Sequence, residues 1–381
     1  MKALIIGCGI GGPVTAMALR EVGVDVEIFE AYGQGAEDVG SFLNVASNGL
    51  AALRVLGAHR KILSRAIPTP RMVMWSGSGK RLGEVANGLR LDDGTVSHTV
   101  LRSDLYRTIR DEAAQRDIKI TYGKRLVSYD ESSRGVTARF EDGTEATGDL
   151  LIACDGVHSR TRAVLDPQAP APRYSGLYSL GGIVRDTSLP GEPGVYNMVF
   201  GKRAFFGYTV AESGETWWFA NLPRRLGDVP DDWKPVLIRA FEDDANASAE
   251  VIRRSNVHPG SPIYDLPPLP IWHRGRALLT GDAAHATSPS SGQGASLAIE
   301  DAVVLARCLR DSGSHTKAFA RFEAERRPRV ERVVAYSRTI SNNKAAGPVA
   351  RVFRDLMLPF FLKKSASQES LAWMYRYQAS L

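Results

Sequence analysis

Residues 2–30, KALIIGCGIGGPVTAMALREVGVDVEIFE, contain the pattern that decides the fold of this chain. A short apolar strand, Lys2 to Ile6, leads through a glycine-rich turn into an apolar helix from Pro13 to about Val22. A second strand, Val24 to Phe29, follows and ends at the carboxylate of Glu30. This order of elements opens a Rossmann-like unit, so the chain is predicted to begin with a parallel α/β sheet.

The turn has the spacing G-x-G-x-x-G, with glycines at 7, 9 and 12 and a further glycine at 11. Glycine allows the tight turn and the close approach of a pyrophosphate, and the acid after the second strand accepts from ribose hydroxyls. Glu30 lies 18 residues beyond Gly12, near the usual separation of about 20. Ala31 stands where a cation would bind a 2′-phosphate, so the pattern predicts a dinucleotide without that phosphate.

A second motif of the same kind lies at residues 279–302, LTGDAAHATSPSSGQGASLAIEDA. A strand ends at Gly281-Asp282, a loop of small residues closes at Gly292-Gln293-Gly294, and an apolar helix runs from Ala295 to about Leu309. The helix start offers free N–H groups and a partial positive charge, and Asp282 can accept from a ribityl or ribose hydroxyl. Taken alone, these residues fit an ordinary capped helix equally well.

Composition narrows the class of protein. The chain has 381 residues, 44% of them hydrophobic, and a formal net charge of +6, which suits an anionic cofactor but not the dense basic stripe of a nucleic-acid binder. No apolar run reaches the ~18 residues of a membrane span, so no stable membrane insertion is expected. Cys8, Cys154 and Cys308 are far apart, which indicates reduced thiols in a cytoplasmic protein, and no metal-ligand spacing is present.

Short alternating runs rich in aromatic residues begin near Tyr174 and predict an antiparallel sheet inserted into the nucleotide-binding lobe. We therefore predict an α/β fold with four parts: a Rossmann-like lobe over residues 1–173 with a small inserted strand region near 70–100, a substrate-binding sheet over 174–272, completion of the lobe over 273–315, and C-terminal helices over 316–381. Within the last part, the pattern predicts helices from Thr316 to Arg327 and from Val330 to Asn343, and a tail from Pro348.

Four separated pieces point to one site: the glycine turn with Glu30, Arg102 at a helix start, Asp155-Gly156 after a strand, and Gly281-Asp282. With the segment ACDGVHSRTR at 153–162, their order resembles the single-component FAD-dependent aromatic hydroxylases and monooxygenases. That family includes p-hydroxybenzoate, salicylate and urate hydroxylases and zeaxanthin epoxidase. The resemblance covers the whole chain.

The resemblance implies that the protein binds FAD non-covalently and that NADH or NADPH reduces this FAD. O2 would then form a flavin 4a-hydroperoxide, which inserts one oxygen atom into an aromatic or conjugated small molecule. It assigns His285 to fixing the loop rather than to acid–base chemistry. Ser296 departs from the family, which often has asparagine there, so one side-chain contact to the flavin is expected to be missing or altered. The FAD-binding positions that it implies are Gly9, Gly11, Gly12, Glu30, Ala31, Arg102, Leu126 (through its backbone), Asp155, Asp282, Pro289, Gly292, Gly294 and Ala295.

The substrate is expected between the inserted sheet and the flavin, under the loop that contains Pro289. Period-2 alternation places Phe206 and Tyr208 on one face of a strand, and Trp217 and Phe219 on one face of the next, but it does not tell which face meets the flavin. Arg203 resembles the position at which urate hydroxylases place an arginine for their anionic substrate, so Arg203 and Tyr208 are the candidate catalytic residues. The neighbouring Trp217-Trp218 argues against urate and favours a larger, flatter aromatic molecule of the kind made in secondary metabolism.

Other functions on the same fold stay open at this point: a flavin dehydrogenase or reductase that inserts no oxygen, a halogenase, and an FAD-binding protein without activity. The halogenase would need a tryptophan where Ala220 stands. The choice between NADH and NADPH is open, and we expect a monomer or a homodimer.

Overall fold

A largely parallel sheet joins the two ends of the chain. The computed structural model describes residues 1–33, 42–185, 191–344, 355–360 and 371–381. The strands of this sheet are β1 (Lys2–Ile6), β2 (Asp25–Phe29), β8 (Lys119–Thr121), β12 (Leu150–Ala153), β19 (His273–Arg274) and β20 (Ala277–Leu279). They lie in the order β19-β20-β12-β1-β2-β8, and the pairs are parallel except for β19–β20. All residues of β12 and β20 are buried, as expected for strands covered on both faces.

Helices cover this sheet and bring its two glycine-rich segments together. Gly11 and Gly281 both face Ala298. A Cβ added at Gly11 would lie 3.6 Å from the Cβ of Ala298, and one added at Gly281 would lie 3.1 Å from it. The first helix can therefore pack closely on the helix that contains Ala298. The helices are α1 (Gly11–Glu21), α2 (Ser47–Val55), α3 (His59–Leu63), α4 (Arg102–Gln115), α5 (Arg160–Leu165), α8 (Asp282–His285), α9 (Gly294–Asp311) and α10 (His315–Lys344).

The last long helix corrects one prediction. The sequence pattern predicts two helices on either side of Pro328, whereas α10 runs through that residue without a break. Proline removes one backbone hydrogen bond from a helix interior, but packing can outweigh the loss. Here Phe322 and Val330 are fully buried on either side of Pro328, and Arg326 is buried against α9. Most of the predicted tail from 348 lies outside the described residues; within it, 355–360 and α11 (Ala372–Tyr375) are helical.

The inserted sheet is mostly antiparallel and has one face covered by α6 (Trp233–Phe241) and α7 (Ser248–Arg254). Its strands are β5 (Arg71–Ser76), β6 (Arg81–Ala86), β13 (Arg173–Val184), β14 (Val195–Phe200), β15 (Phe205–Val210), β16 (Thr216–Pro223), β17 (Asn256–Val257) and β18 (Ser261–Asp265). They lie in the order β17-β13-β16-β15-β14-β5-β6, with β18 beside β13.

The strand region near 70–100 divides between the two lobes. β5 pairs in parallel with β14, so residues 71–86 belong to the inserted sheet and not to the lobe of residues 1–173. β7 (His98–Leu101) pairs instead with β3 (Phe42–Val45) and β4 (Ile67–Pro68) at the junction of the lobes. The exact domain boundaries stay a prediction. A third small sheet contains β9 (Leu126–Ser132), β10 (Gly135–Phe140) and β11 (Glu145–Gly148).

The α/β fold with an inserted sheet is confirmed. Among the residues that the structure describes, no helix is both long and apolar enough to cross a membrane.

Candidate active site

The N-terminal turn is packed so tightly that two of its glycines have no substitute. A Cβ at Gly7 would lie 2.5 Å from the carbonyl oxygen of Cys154, and Gly7 has a φ of +103°. A Cβ at Gly12 would lie 2.0 Å from the carbonyl oxygen of Gly7. A Cβ at Gly9, in contrast, would meet no atom within 4 Å. The turn thus leaves an open space at Gly9, directly before the N–H groups of the first turn of α1.

Glu30 closes the other side of this turn. Its side chain is buried and accepts hydrogen bonds from the backbone N–H of Cys8 at 2.6 Å and of Tyr32 at 3.0 Å. The carboxylate therefore connects the glycine turn after β1 to the segment after β2. Charged acceptors that are already fixed by backbone N–H groups can still accept from a ligand hydroxyl with their remaining lone pairs. Ala31 follows and is partly exposed.

Two opposite charges, those of Asp282 and Arg102, lie close to each other near the start of α9. We call the space beside them the cleft. Asp282 is the first residue of α8, and Arg102 is the first residue of α4. The Asp282 side chain is open to the cleft and accepts no hydrogen bond from the described residues. Desolvation by the surrounding protein raises the pKa of its carboxyl, and the charges of His285 and Arg102 oppose that rise. Desolvation lowers the pKa of Arg102, and the charge of Asp282 opposes that change. The pair presents one unbonded acceptor and one cation to whatever enters.

The far end of the motif loop forms the start of α9. Gly292 has a φ of +64°, a conformation that favours glycine, and a Cβ there would lie 3.4 Å from Nδ2 of Asn44. Gly294 begins α9, and Ala295 in the first turn of this helix is partly exposed. Pro289 is exposed at the start of a short 3-10 turn, Pro289–Ser291. A Cβ at Gly294 would lie 4.0 Å from Oδ1 of Asp282, so the N-terminus of α9, with its free N–H groups, lies close to that carboxylate.

The Ser296 side chain faces away from the cleft, which gives its departure from the family a physical reason. Its Oγ accepts from the backbone N–H of Ala46 at 3.1 Å, directly before α2. A Cβ at Gly49 would lie 2.6 Å from the same Oγ, so α2 and α9 are in close contact at this point. A small hydroxyl fits between them, and it stabilises the helix pair.

Asp155 binds its own loop. Its carboxylate accepts from Oγ of Ser159 at 2.6 Å and from both the N–H and the hydroxyl of Thr161 at 2.9 Å. These bonds cap α5, so Asp155 positions the loop, and its predicted contact with FAD stays a prediction. Leu126 is buried at the start of β9, which fits a contact through its backbone.

The two faces of the inserted sheet have different surroundings. Phe206 is fully buried against Trp218 and Phe241, and Tyr208 packs at the edge of this cluster, where burial raises its pKa. This is the face that α6 and α7 cover. Arg203 lies on an exposed turn, where it contacts Asp243 and the carbonyl oxygen of Arg239. The structure therefore does not bring Arg203, Phe206 or Tyr208 to the cleft, and we no longer assign them to it.

Trp217 and Phe219 lie on the opposite face, which meets the nucleotide-binding lobe. The ring of Phe42 in β3 lies 6.3 Å from that of Trp217 and 5.9 Å from that of Phe219, between ring centroids. Asn44, on the same side of β3 as Phe42, is the residue that approaches Gly292. The strand β3 thus joins this aromatic face to the motif loop.

A buried ionic network, which the sequence did not reveal, lies behind the loop. Asp301 accepts from the N–H of Gly281 at 2.9 Å, from Nε2 of His285 at 2.6 Å and from Nε of Arg326 at 2.7 Å. Burial raises the pKa of Asp301, but the charges of His285 and Arg326 outweigh this and lower it to about 2. His285 is therefore bound to a structural acid, in agreement with its predicted role in fixing the loop. Glu300 beside Asp301 gave no sequence signal beyond its place in an apolar helix.

Comparisons with known proteins show the family to which this chain belongs. A family model described as an FAD binding domain matches residues 1–337. The FAD-dependent urate hydroxylase of Klebsiella pneumoniae is 32% identical over 346 residues, which cover 89% of each chain. The aurachin C monooxygenase/isomerase of Stigmatella aurantiaca is 32% identical over 354 residues and covers 88% of each chain. The chain belongs to the single-component FAD-dependent hydroxylases and monooxygenases.

Solved structures agree with this assignment. Klebsiella pneumoniae HpxO in complex with FAD and uric acid superposes with a TM-score of 0.87 at 27% identity, covering 98% of this chain and 97% of that one. A salicylate hydroxylase substrate complex has the same fold, with a TM-score of 0.80 at 22% identity, covering 99% and 95%.

The residues of the monooxygenase fit FAD. The open space at Gly9 beside the start of α1 suits a pyrophosphate, and the unbonded carboxylate of Asp282 suits a ribityl hydroxyl. The N-terminus of α9 suits the pyrimidine edge of the flavin, where negative charge develops on reduction. These individual assignments stay predictions, whereas binding of FAD is established for the family.

Arg162 connects two parts of this site, the segment at 153–162 that contains it and the helix α8. Its Nη1 donates to the carbonyl oxygen of Ala283 at 2.9 Å, and its Nη2 donates to that of Val157 at 2.7 Å. Arg162→Met is expected to destabilise the protein by about 2–3 kcal/mol, because it leaves these carbonyls without a charged donor. Urea unfolding of the FAD-free protein measures this effect. Arg160→Met is the control, since Arg160 is exposed and is expected to change stability by less than about 0.5 kcal/mol.

Proposed function

We propose that the monooxygenase uses NADH or NADPH to reduce its FAD and inserts one oxygen atom of O2 into a neutral, flat aromatic or conjugated molecule. The cofactor supplies the redox and oxygen chemistry. The chain must place the substrate ring over the flavin and exclude water from the reacting atoms.

The observation that supports this substrate class is the composition of the sheet face toward the flavin. Cross-strand register puts mostly apolar residues from β5, β14, β15 and β16 side by side on this face, together with the uncharged polar residues Ser76, Thr209 and Asn221. At the described strand positions, none of these side chains is charged. Those that are only partly buried, and so open to a ligand, are Met72, Met74, Met198, Phe200 and Phe219.

This surface suits one kind of ligand. Aromatic rings offer flat contacts of high dispersion energy, and methionine side chains adapt to irregular apolar shapes. An anionic ring would lose its hydration here without gaining a cation, which is unfavourable. The structure therefore favours a neutral and extended ring system over urate, although the relatives include urate hydroxylases.

A substrate panel tests the proposal. Purified FAD-loaded enzyme is supplied with NADH or NADPH and with neutral polycyclic phenols or urate, and both cofactor oxidation and peroxide release are measured. We expect at least one polycyclic phenol to give product with little peroxide, and urate to give slow oxidation that ends mostly in peroxide. Fast turnover of urate without peroxide would exclude the proposed substrate class.

Arg203 gives an independent test of the choice between the two faces. It is exposed, and its ion pair with Asp243 lies on a surface turn. Because Arg203 contacts Arg239 of α6 and lies away from the proposed substrate face, Arg203→Gln is expected to change kcat/KM by less than about twofold, and loss of the exposed ion pair should change stability by only about 0–1 kcal/mol. Steady-state kinetics with the best substrate of the panel measures this ratio. A fall of about tenfold or more would return Arg203 to the substrate site.

A further inference from the structure

The C-terminal segment, residues 371–381, is bound to the helix that follows the cofactor loop, residues 281–293. Arg329 of α10 makes the connection. Its guanidinium donates to both carboxylate oxygens of Glu300, at 2.8 Å and 2.7 Å. It also donates to the backbone carbonyl oxygens of Trp373 at 3.1 Å and Met374 at 2.8 Å. One cation, whose side chain is only 10% exposed, therefore joins α9, α10 and the C-terminal segment.

Glu300 transmits this contact to the end of the cofactor loop. Its Oε1 accepts from Nδ2 of Asn48 at 2.6 Å, and the same Nδ2 donates to Oε1 of Gln293 at 2.9 Å. Glu300 and Gln293 are both fully buried, so neither side chain can exchange these partners for water. Burial raises the pKa of the Tyr375 hydroxyl, and an interaction with the side chain of Gln293 opposes that rise.

The neighbouring Asp301 binds the start of the same loop. It accepts from the N–H of Gly281, and it shares Arg326 with Glu300, since Arg326 lies 2.8 Å from Oε2 of Glu300 and 2.7 Å from Oδ1 of Asp301. Two consecutive acids of α9 thus fix both ends of the loop that contains Asp282. Arg329 connects this pair of acids to Trp373 and Met374 in the C-terminal segment.

We propose that Arg329 and the C-terminal segment are positioning elements, which keep the cofactor loop in the shape that FAD requires. They do not touch the reacting atoms; they act through Glu300, Asn48 and Gln293. The inference rests on the FAD site and not on the substrate class, so FAD binding alone can test it. It assigns a function to residues 371–381, which lie beyond the part of the chain matched by the family model.

The test compares FAD affinity and thermal unfolding in the full-length chain. Arg329→Met is expected to raise the Kd for FAD about tenfold, which corresponds to about 1.4 kcal/mol, and to shift the absorption spectrum of the bound flavin. The rise in Tm that saturating FAD produces should become smaller, because ligand stabilisation depends on Kd. A purely structural role predicts something else: an equal loss of Tm with and without FAD, at unchanged Kd.

Arg332→Met is the matched control. Arg332 stacks on Trp373, with its guanidinium carbon 3.9 Å from the ring centroid, so it contacts the same segment without the described hydrogen bonds to Glu300. Its Kd for FAD is expected to stay within about twofold of the wild type. If Arg329→Met does not fold, Arg329→Lys replaces it, since lysine can pair with Glu300 but cannot also reach both carbonyls in a fork. An unchanged Kd and flavin spectrum in the folded Arg329 variant would overturn the inference, whichever substrate the enzyme uses.

Discussion

Gly9→Val is expected to abolish tight FAD binding and to leave the FAD-free fold intact. In the folded chain a Cβ at Gly9 meets no atom within 4 Å, and Gly9 is not among the glycines with positive φ. The substitution should therefore cause neither a clash nor backbone strain. The valine side chain would instead occupy the space in which we place the pyrophosphate.

The expected size of this effect follows from overpacking. Extra methyl groups in a filled site cost about 1–3 kcal/mol, and the upper end of that range is about a 100-fold rise in Kd. Flavin fluorescence titration of the FAD-free protein measures Kd, and urea unfolding of the same sample measures the fold. Both experiments can be done without knowing the substrate.

Gly12→Ala is the comparison that separates fold from binding. Its Cβ would lie 2.0 Å from the carbonyl oxygen of Gly7, so this variant is expected to lose stability as well as FAD. If Gly9→Val bound FAD as the wild type does, the pyrophosphate would have to lie elsewhere, and the assignment of the N-terminal turn would be wrong.

Phe219→Ala is expected to lower kcat/KM by about 100-fold and to divert reducing equivalents to peroxide, because a substrate ring that is misplaced by about 1 Å reacts much more slowly. The ring of Phe219 is partly exposed on the sheet face that meets the nucleotide-binding lobe. It lies over Gly207, where a Cβ would be only 2.1 Å from Cε1 of Phe219. Gly207 thus allows the ring to lie flat against the sheet.

Phe206→Ala is the matched control for this prediction. Phe206 lies on the neighbouring strand, but it faces α6 and α7 and is fully buried. Its removal is expected to destabilise the protein by about 3–5 kcal/mol, with little change in the ratio of peroxide to NAD(P)H for the enzyme that remains folded. The reverse pattern, with uncoupling in Phe206→Ala and normal coupling in Phe219→Ala, would place the substrate on the other face.

Sequence patterns could predict the elements of the FAD site because local rules govern them. The glycine turn and the Gly281-Asp282 motif each consist of a strand end, a turn and a helix start within a few residues of each other, and Glu30 directly follows a strand. The fold class and the family follow from these motifs, and both are confirmed.

The features that sequence missed depend on distant parts of the chain. Alternation shows that Phe206 and Phe219 lie on faces of strands, but helices at 233–254 decide which face is covered. The continuous α10 helix depends on packing against α9, which outweighs the local effect of Pro328. In the same way, Ser296 packs against Gly49 and accepts a hydrogen bond from the N–H of Ala46, and both residues lie about 250 positions away in sequence.

Labelling with heavy-isotope dioxygen tests the central claim most directly. FAD-loaded enzyme turns over a polycyclic phenol from the panel with NADH or NADPH under labelled O2, and the product is analysed by mass spectrometry. The account predicts that each product molecule contains a single labelled oxygen atom, and that labelled water contributes none. If NAD(P)H is oxidised across the whole panel while all the labelled oxygen appears in hydrogen peroxide or water, the proposal that this enzyme inserts oxygen into a neutral aromatic substrate is contradicted.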